Sequence, residues 1–400
     1  MGERVFDGLK VIDCASYIAG PAAATVMSDF GAEVVKIEPP GAGDPYRRRA
    51  TPPLGPGSAE NPGFILDSRN KKSLALDLST PAGRAVLYRL VRAADVFITN
   101  YPLPVRRRLA IGWEDLAPLN GRLVYVSFTA YGEVGPEAEK PGFDATAWWA
   151  RTGLMHLVRA GKQATPARSL PGMGDHPSAM ATYGAIVTAL YQREKTGKGA
   201  LVGSSLLANG LWANGCHLQA TLLGERVEPQ PAREEGLNAL RMHYRCRDGR
   251  WLLLSIVAEE RRWDVFKRAI EDPALDDDRF AAAASREAHA KELIAVLDKA
   301  FARRDLAEWR LILDRAGLVF GIIAEMDDIP NDAQIRAIGA LVPYEDDEAL
   351  TLDSPFWIAG QEKARPRRPP KVGEHSEAVL RQWGFGGGEI EELRAAGVIA

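Results

Sequence analysis

The sequence predicts an α/β fold built on a parallel sheet with helices on both faces. Three observations predict it. Short apolar runs rich in strand formers recur through the first 130 residues, helix signals separate them, and Gly or Pro marks the junctions. LKVIDCA at 9–15 is the first strand. AGPAAATVMSDFG at 19–31 is a small-residue helix that opens on Ala19-Gly20-Pro21 and stops on Gly31. EVVKIE at 33–38 is the second strand and KSLALDL at 72–78 the third. Next, Ser79 or Thr80 can cap a helix, Pro81 takes an early helical position, and GRAVLYRLVRAA has apolar residues at helical spacing. DVFITN at 95–100 and RLVYVSFTA at 122–130 are further strands. PGSAENPGF at 56–64 and GEVGPEAEKPG at 132–142 read as exposed loops.

Residues 179–223 read as helical, broken at TGKGA (196–200). The proline-rich, charged stretch 228–238 is a linker, and 241–256 forms a hairpin turning at Asp248-Gly249. Residues 259–315 are charged helices, and 331–400 mixes strand signals with a terminal helix. The resulting layout is 1–225, a smaller α+β domain at 226–330, and a last segment at 331–400. No internal repeat is evident.

The charge balance, 50 basic against 53 acidic residues, carries no signature of a nucleic-acid partner. Cys14, Cys216 and Cys246 are odd in number and far apart, so a reducing, cytoplasmic setting is expected. MGERVFDGLK lacks the apolar stretch of a secretory signal, and no run approaches 18 apolar residues, so no membrane partner is expected.

Several weak signals carry little chemistry. Glu38 ends the second strand, where a ribose-binding acid would sit, but Ala19-Gly20-Pro21 replaces the GxGxxG turn of dinucleotide sites. GFGGG at 384–388 reads as a turn before the last helix. The six histidines lack the spacing of a helical metal site, and Ser204-Ser205 lacks a nucleophile elbow. Arg47-Arg48-Arg49, Lys71-Lys72 and Arg106-Arg107-Arg108 lie in or beside loops next to strands. There, guanidinium and ammonium groups can meet phosphate oxygens.

The sharpest candidate is Asp175, in GMGDHPSAM at 172–180, just ahead of a helix expected over about 179–194. One reading makes it a helix cap. The other makes it a nucleophile: helix-start dipoles favour an ionised carboxylate, an ordinary Asp is anionic at neutral pH, and a carboxylate can attack an activated acyl group. Asp144, in PGFDATA, either positions substrate or caps the helix that starts there.

Long ordered segments then resemble a known family. They include DGLKVIDCASYIAGPAAATVMSDFGAEVVKIEPPGAGD (7–44), SRNKKSLALDLSTPAGRAVLYRLVRAADVFITNY (68–101), PGFDATAWWARTGLM (141–155) and GDHPSAMATYGAIVTALYQREKTGKG (174–199). RRLAIGWEDLAPLNGRLVYVSFTAYG (107–132) and VGEHSEAVLRQWGF (372–385) add to the likeness. Together they resemble family III CoA-transferases, the CaiB/BaiF group that includes formyl-CoA and carnitine CoA-transferases. The resemblance implies a Rossmann-like large domain made from both chain ends, a small middle domain, and an interlocked homodimer. It implies transfer of CoA from an acyl-CoA to a free carboxylic acid, with CoA as substrate and no tightly bound cofactor. The family's nucleophile falls on Asp175, after Gly174. It would pass through a mixed anhydride and an aspartyl-CoA thioester. The family's CoA contacts fall on Ile18-Ala19, Leu76 to Ser79, Asn100-Tyr101 and Arg108, with Lys140 and Asp144 as further contacts.

This chain departs from parts of the family's pattern. Pro39 stands where the formyl-CoA branch often has a basic residue, and REEGLNALR at 233–241 replaces its tetraglycine loop, which argues against oxalate or formate. Trp148-Trp149 with Met155 either encloses a bulky, branched or aromatic acyl group or packs a helix. The family's racemases carry a His immediately before the first Asp. Phe143 stands there instead, leaving a 2-methylacyl-CoA racemase without its base. A noncatalytic CoA-binding subunit of a heteromeric transferase is the alternative from a different class, and His176 has no assigned role.

Overall fold

The protein is described by a computed structural model covering residues 4–48 and 61–400. Arg49 and most of the 56–64 loop fall outside the described residues. Six parallel strands form one sheet: β1 (Lys10–Asp13), β2 (Glu33–Glu38), β3 (Lys72–Ala75), β4 (Val96–Thr99), β5 (Val124–Thr129) and β6 (Ala200–Ser205). Their order is β3-β2-β1-β4-β5-β6, so the winding reverses between β1 and β4. The break expected at 196–200 is in fact the entry to β6, which pairs with β5 from Val124↔Ala200 to Thr129↔Ser205. β6 alternates half-buried and exposed positions and includes Gly203, so it lacks the apolar run that marks the buried strands.

Helix α1 (Ala19–Asp29) is buried on every side, which its small residues permit. A Cβ on Gly20 would sit 2.7 Å from the Ala15 Cβ, so the first helical turn closes on the strand loop only with glycine there. Helix α2 (Pro62–Asp67) starts at Asn61, whose side chain accepts from Gly63 N. Helix α3 (Pro81–Val91) is capped by Thr80, whose Oγ1 accepts from Gly83 N at 3.0 Å; Ser79 instead donates to Asp77. The face of α3 bearing Val86, Leu87 and Leu90 is buried against the sheet, a burial of about 1.5–3 kcal/mol per side chain. Helix α4 is Leu103–Leu109, and helix α5, Asp175–Thr196, packs against α1.

The chain divides into two units. One comprises Met1–Leu154, Arg168–Leu223 and Ala337–Ala400; the other comprises Met155–Ala167 and Gly224–Arg336. In the first, the chain end joins β3: Asp77 N donates to Val398 O and His375 N to Ser73 O. The turn at 384–388 leads into the terminal helix Gly387–Ala395. In the second, a three-stranded antiparallel sheet includes the expected hairpin, His243–Arg245 with Trp251–Leu254. Its helices bury Trp263, Phe266, Leu297, Phe301 and Trp309. No helix among the described residues is long and apolar enough to cross a membrane.

Candidate active site

A cleft of about 720 Å³ opens in the first unit. Its walls come from the segments that follow β1, β2, β4, β5 and β6, on both sides of the strand reversal. Ligands of open parallel sheets bind at such a place, because helix starts and free loop backbone converge there.

Seven of the residues assigned to catalysis or CoA contact from sequence line this cleft: Ile18, Ala19, Asn100, Tyr101, Lys140, Asp144 and Asp175. Ile18 and Ala19 form the start of α1, which no side chain caps. Asn100 fixes the loop before them, accepting from Ser16 N (2.9 Å) and donating to Ser16 O (2.7 Å). Leu76, Ser79 and Arg108 lie outside the cleft wall. Leu76 is buried and Ser79 exposed at the carboxyl end of β3, two strands from β1. Arg108 is exposed on α4.

The neighbouring basic groups are largely committed elsewhere. Arg47 pairs with Glu38 through two bonds of 2.6 Å, which also disposes of Glu38 as a ribose-binding acid. Lys71 is buried and donates to Asp13, Pro21 O and Asp67 O. Arg106 is buried and ties α4 to Ser127 and Phe128 O, holding Tyr101 O at 2.6 Å. Arg48 and Arg168, both exposed, line the cleft. Arg168 was not anticipated, because no motif marks an arginine seven residues before Asp175.

Asp175 is not a cap. The helix starts four residues earlier than expected, Gly174 holds the cap position, and Asp175 lies in the first turn. Gly174 is required by packing: a Cβ there would meet Trp148 Cγ at 2.7 Å. The Asp175 carboxyl is also not the freely ionised group expected from sequence. Burial, and next the negative charge of Asp144, push its pKa up to about 7. A helix start favours an anion by only about 0.3–1 kcal/mol, less than one pKa unit, so burial and Asp144 win. Asp144 begins a π-helix, Asp144–Ala150, and is itself buried. Its Oδ1 accepts from Ala145 N at 2.7 Å and its Oδ2 from Gly174 N at 3.2 Å. That second bond joins the two acidic segments.

His176, next in sequence, does not line this cleft. Its Nε2 lies 3.0 Å from Oδ1 of Asp67, a carboxylate only 3% exposed. This hydrogen bond raises the His176 pKa against the opposing effect of burial. Trp148 and Trp149 stack on each other, are buried, and stay out of the cleft wall, as residues that pack a helix do. The aromatic lining comes instead from Tyr17, Tyr46, Tyr101, Phe128 and Phe143. Tyr17 and Tyr46 were missed because nothing in their local sequence marks them.

A carboxyl at the wall of a cleft on the carboxyl edge of a parallel sheet marks a small-molecule enzyme of the α/β class. The model of CoA-transferase family III matches residues 6–376, and the chain belongs to this family. It is 30% identical over 400 residues to (R)-2-hydroxy-4-methylpentanoate CoA-transferase of Clostridioides difficile, covering 99% of each chain. It is 31% identical to cinnamoyl-CoA:phenyllactate CoA-transferase of Clostridium sporogenes, covering 98% of this chain and 96% of the relative. The crystal structure of a CaiB/BaiF family protein from Brucella suis superposes with a TM-score of 0.84 at 25% identity, covering 96% of this chain and all of that one. These likenesses support a CoA-transferring enzyme.

Proposed function

We propose that this protein exchanges CoA between an acyl-CoA and a free carboxylic acid through covalent intermediates on Asp175. The observation that carries this reading is the Asp175 carboxyl itself. It lines the cleft, is not used as a cap, and is kept basic by burial and by Asp144. A more basic carboxylate is the better nucleophile once ionised, and near pH 7 a substantial fraction is ionised.

Ionised Asp175 attacks the thioester carbonyl. The C–S bond breaks, CoA leaves as thiolate, and a mixed anhydride remains. The thiolate then attacks the aspartyl carbonyl, forming a thioester on Asp175 and releasing the donor acid. The acceptor carboxylate attacks that thioester and the steps run in reverse, so acyl activation is conserved without an outside energy source. Excluding water protects both intermediates from hydrolysis. Ile18, Ala19, Asn100, Tyr101 and Lys140 would hold CoA in the cleft, with exposed Ser79 and Arg108 along the outer edge; Leu76 is buried in the core and offers CoA no side-chain surface. The working form is an interlocked homodimer in the cytoplasm, with CoA as substrate and no resident cofactor.

The relatives' names point to 2-hydroxy acids with branched or aromatic side chains as one substrate class. Racemisation has no support at Phe143, a hydrocarbon side chain at the cleft wall. The test is isotope exchange. Each acyl-CoA of a panel is incubated with its own free acid carrying deuterium, and label is followed into the thioester. Label should enter with wild type and not with Asp175→Ala. Equal exchange by both would overturn the assignment.

A further inference from the structure

Tyr17 has a left-handed backbone, with φ +64°, which a bulky residue rarely adopts. Its surroundings impose that conformation. Ser16 is bolted on both sides of its peptide by Asn100, and Tyr17 N donates to Asp44 Oδ1 at 3.3 Å. Asp44 is anchored in turn by buried Lys36, whose Nζ lies 2.8 Å from its Oδ2. A left-handed tyrosine held by a buried ion pair calls for an account of what its ring does there.

The ring turns toward two other aromatic residues of the same cleft. It meets Phe143 edge-on at a centroid distance of 5.7 Å and Tyr46 at 6.0 Å. All three line the cleft together with Asp175, yet Tyr17 stays 42% exposed and Phe143 59% exposed. Exposed aromatic faces at a cleft wall are apolar surface that a ligand entering the cleft can cover. Phe143 immediately precedes Asp144, so this apolar patch sits beside the acidic pair.

Building on the transferase reading, we propose that Tyr17, Tyr46 and Phe143 form an aromatic wall that selects acyl groups with a flat or branched apolar side chain. Small acids such as acetate leave the wall wet and gain nothing from it. A phenyl-bearing acyl chain completes an edge-to-face cluster and covers the exposed ring surface.

The test reads binding, so it stands apart from turnover. Calorimetry measures Kd for 3-phenylpropionyl-CoA and acetyl-CoA with wild type, Tyr17→Gly and Phe143→Ala. Wild type should bind the phenyl thioester at least about tenfold more tightly, the size expected of one aromatic cluster with its buried area. In both variants that preference should shrink to within about threefold. Glycine adopts the left-handed backbone freely, so Tyr17→Gly should keep its Tm within about 2 °C of wild type. Equal Kd values in wild type, an unchanged preference in the variants, or a large Tm loss in Tyr17→Gly would overturn the proposal. Failure of the transferase reading would appear separately, as absent isotope exchange with the Kd preference intact.

Discussion

The two sides of the first turn of α5 meet different surroundings. On the cleft side, Asp175 faces a low-polarity wall and the charge of Asp144, and both raise its pKa. On the far side, His176 reaches a second cavity of about 320 Å³ and bonds to buried Asp67, with Arg69 and Asp353 lining the same space. One residue apart, a carboxyl is made harder to ionise and an imidazole easier to protonate. Protonated His176 lowers the Asp175 pKa, opposing Asp144. The Asp175 carboxyl is therefore tuned from both sides, and each side can be broken separately.

The largest effect should come from the cleft side. Asp175→Ala should reduce exchange by at least roughly 10³-fold, as removal of a nucleophile does. A smaller loss in a steady-state assay would show that the carboxyl is not covalent.

Next come the pH profiles. In wild type, kcat/KM for acyl-CoA should fall as pH drops through about 7, as Asp175 takes up its proton. Asp144→Asn keeps an acceptor for Gly174 N and removes the repulsion, so this acidic limb should move to lower pH. His176→Gln removes the opposing positive charge, so the limb should move to higher pH. Because the groups interact, the limb belongs to the cluster as a whole. Shifts in the same direction for both variants would refute tuning from two sides.

Stability should report the same tuning. Folded Asp175 has a raised pKa, so between the ordinary carboxylate range and about 7 the folded state binds more protons than the unfolded one. Its contribution is favourable at low pH and is lost as pH rises through that window. Asp175→Asn should therefore gain Tm over wild type, by more at pH 8 than at pH 5. Thermal melts at the two pH values check this, and an equal difference at both would contradict it.

The smallest effect should lie away from the cleft wall. Arg108→Ala should raise the KM for acyl-CoA by about two- to fivefold, as an exposed ion pair of up to about 1 kcal/mol allows, without altering acyl preference. An unchanged KM would remove Arg108 from the CoA contacts.

The fold was legible where burial wrote it into composition. β1, β2, β4 and β5 are buried, and each appeared as an apolar run. β6 was not, because its half-exposed ALVGSS resembles a loop. Asp175 stood out by its Gly-Asp pair and its family context. Its electrostatics did not, because Asp144 and Asp67 reach it only through the folded chain, 31 and 108 residues away in sequence. Trp148-Trp149 looked like a substrate wall because aromatics beside an acid suit that role. The aromatic lining of the cleft includes Tyr17, whose left-handed backbone no neighbouring residue type announces. The local signals place the start of α5 too late: the helix begins at Asp175, after Gly174, whose missing side chain leaves room for Trp148.

The central claim is tested most directly by trapping the intermediate. The protein is incubated with a panel of acyl-CoAs, quenched with or without hydroxylamine, and digested with trypsin, which releases Ser169–Arg193 as one peptide. Mass spectrometry should find CoA on Asp175 in the plain quench and a hydroxamate at the same residue after hydroxylamine. Turnover with an unmodified Ser169–Arg193 peptide under both quenches would contradict a covalent path through Asp175.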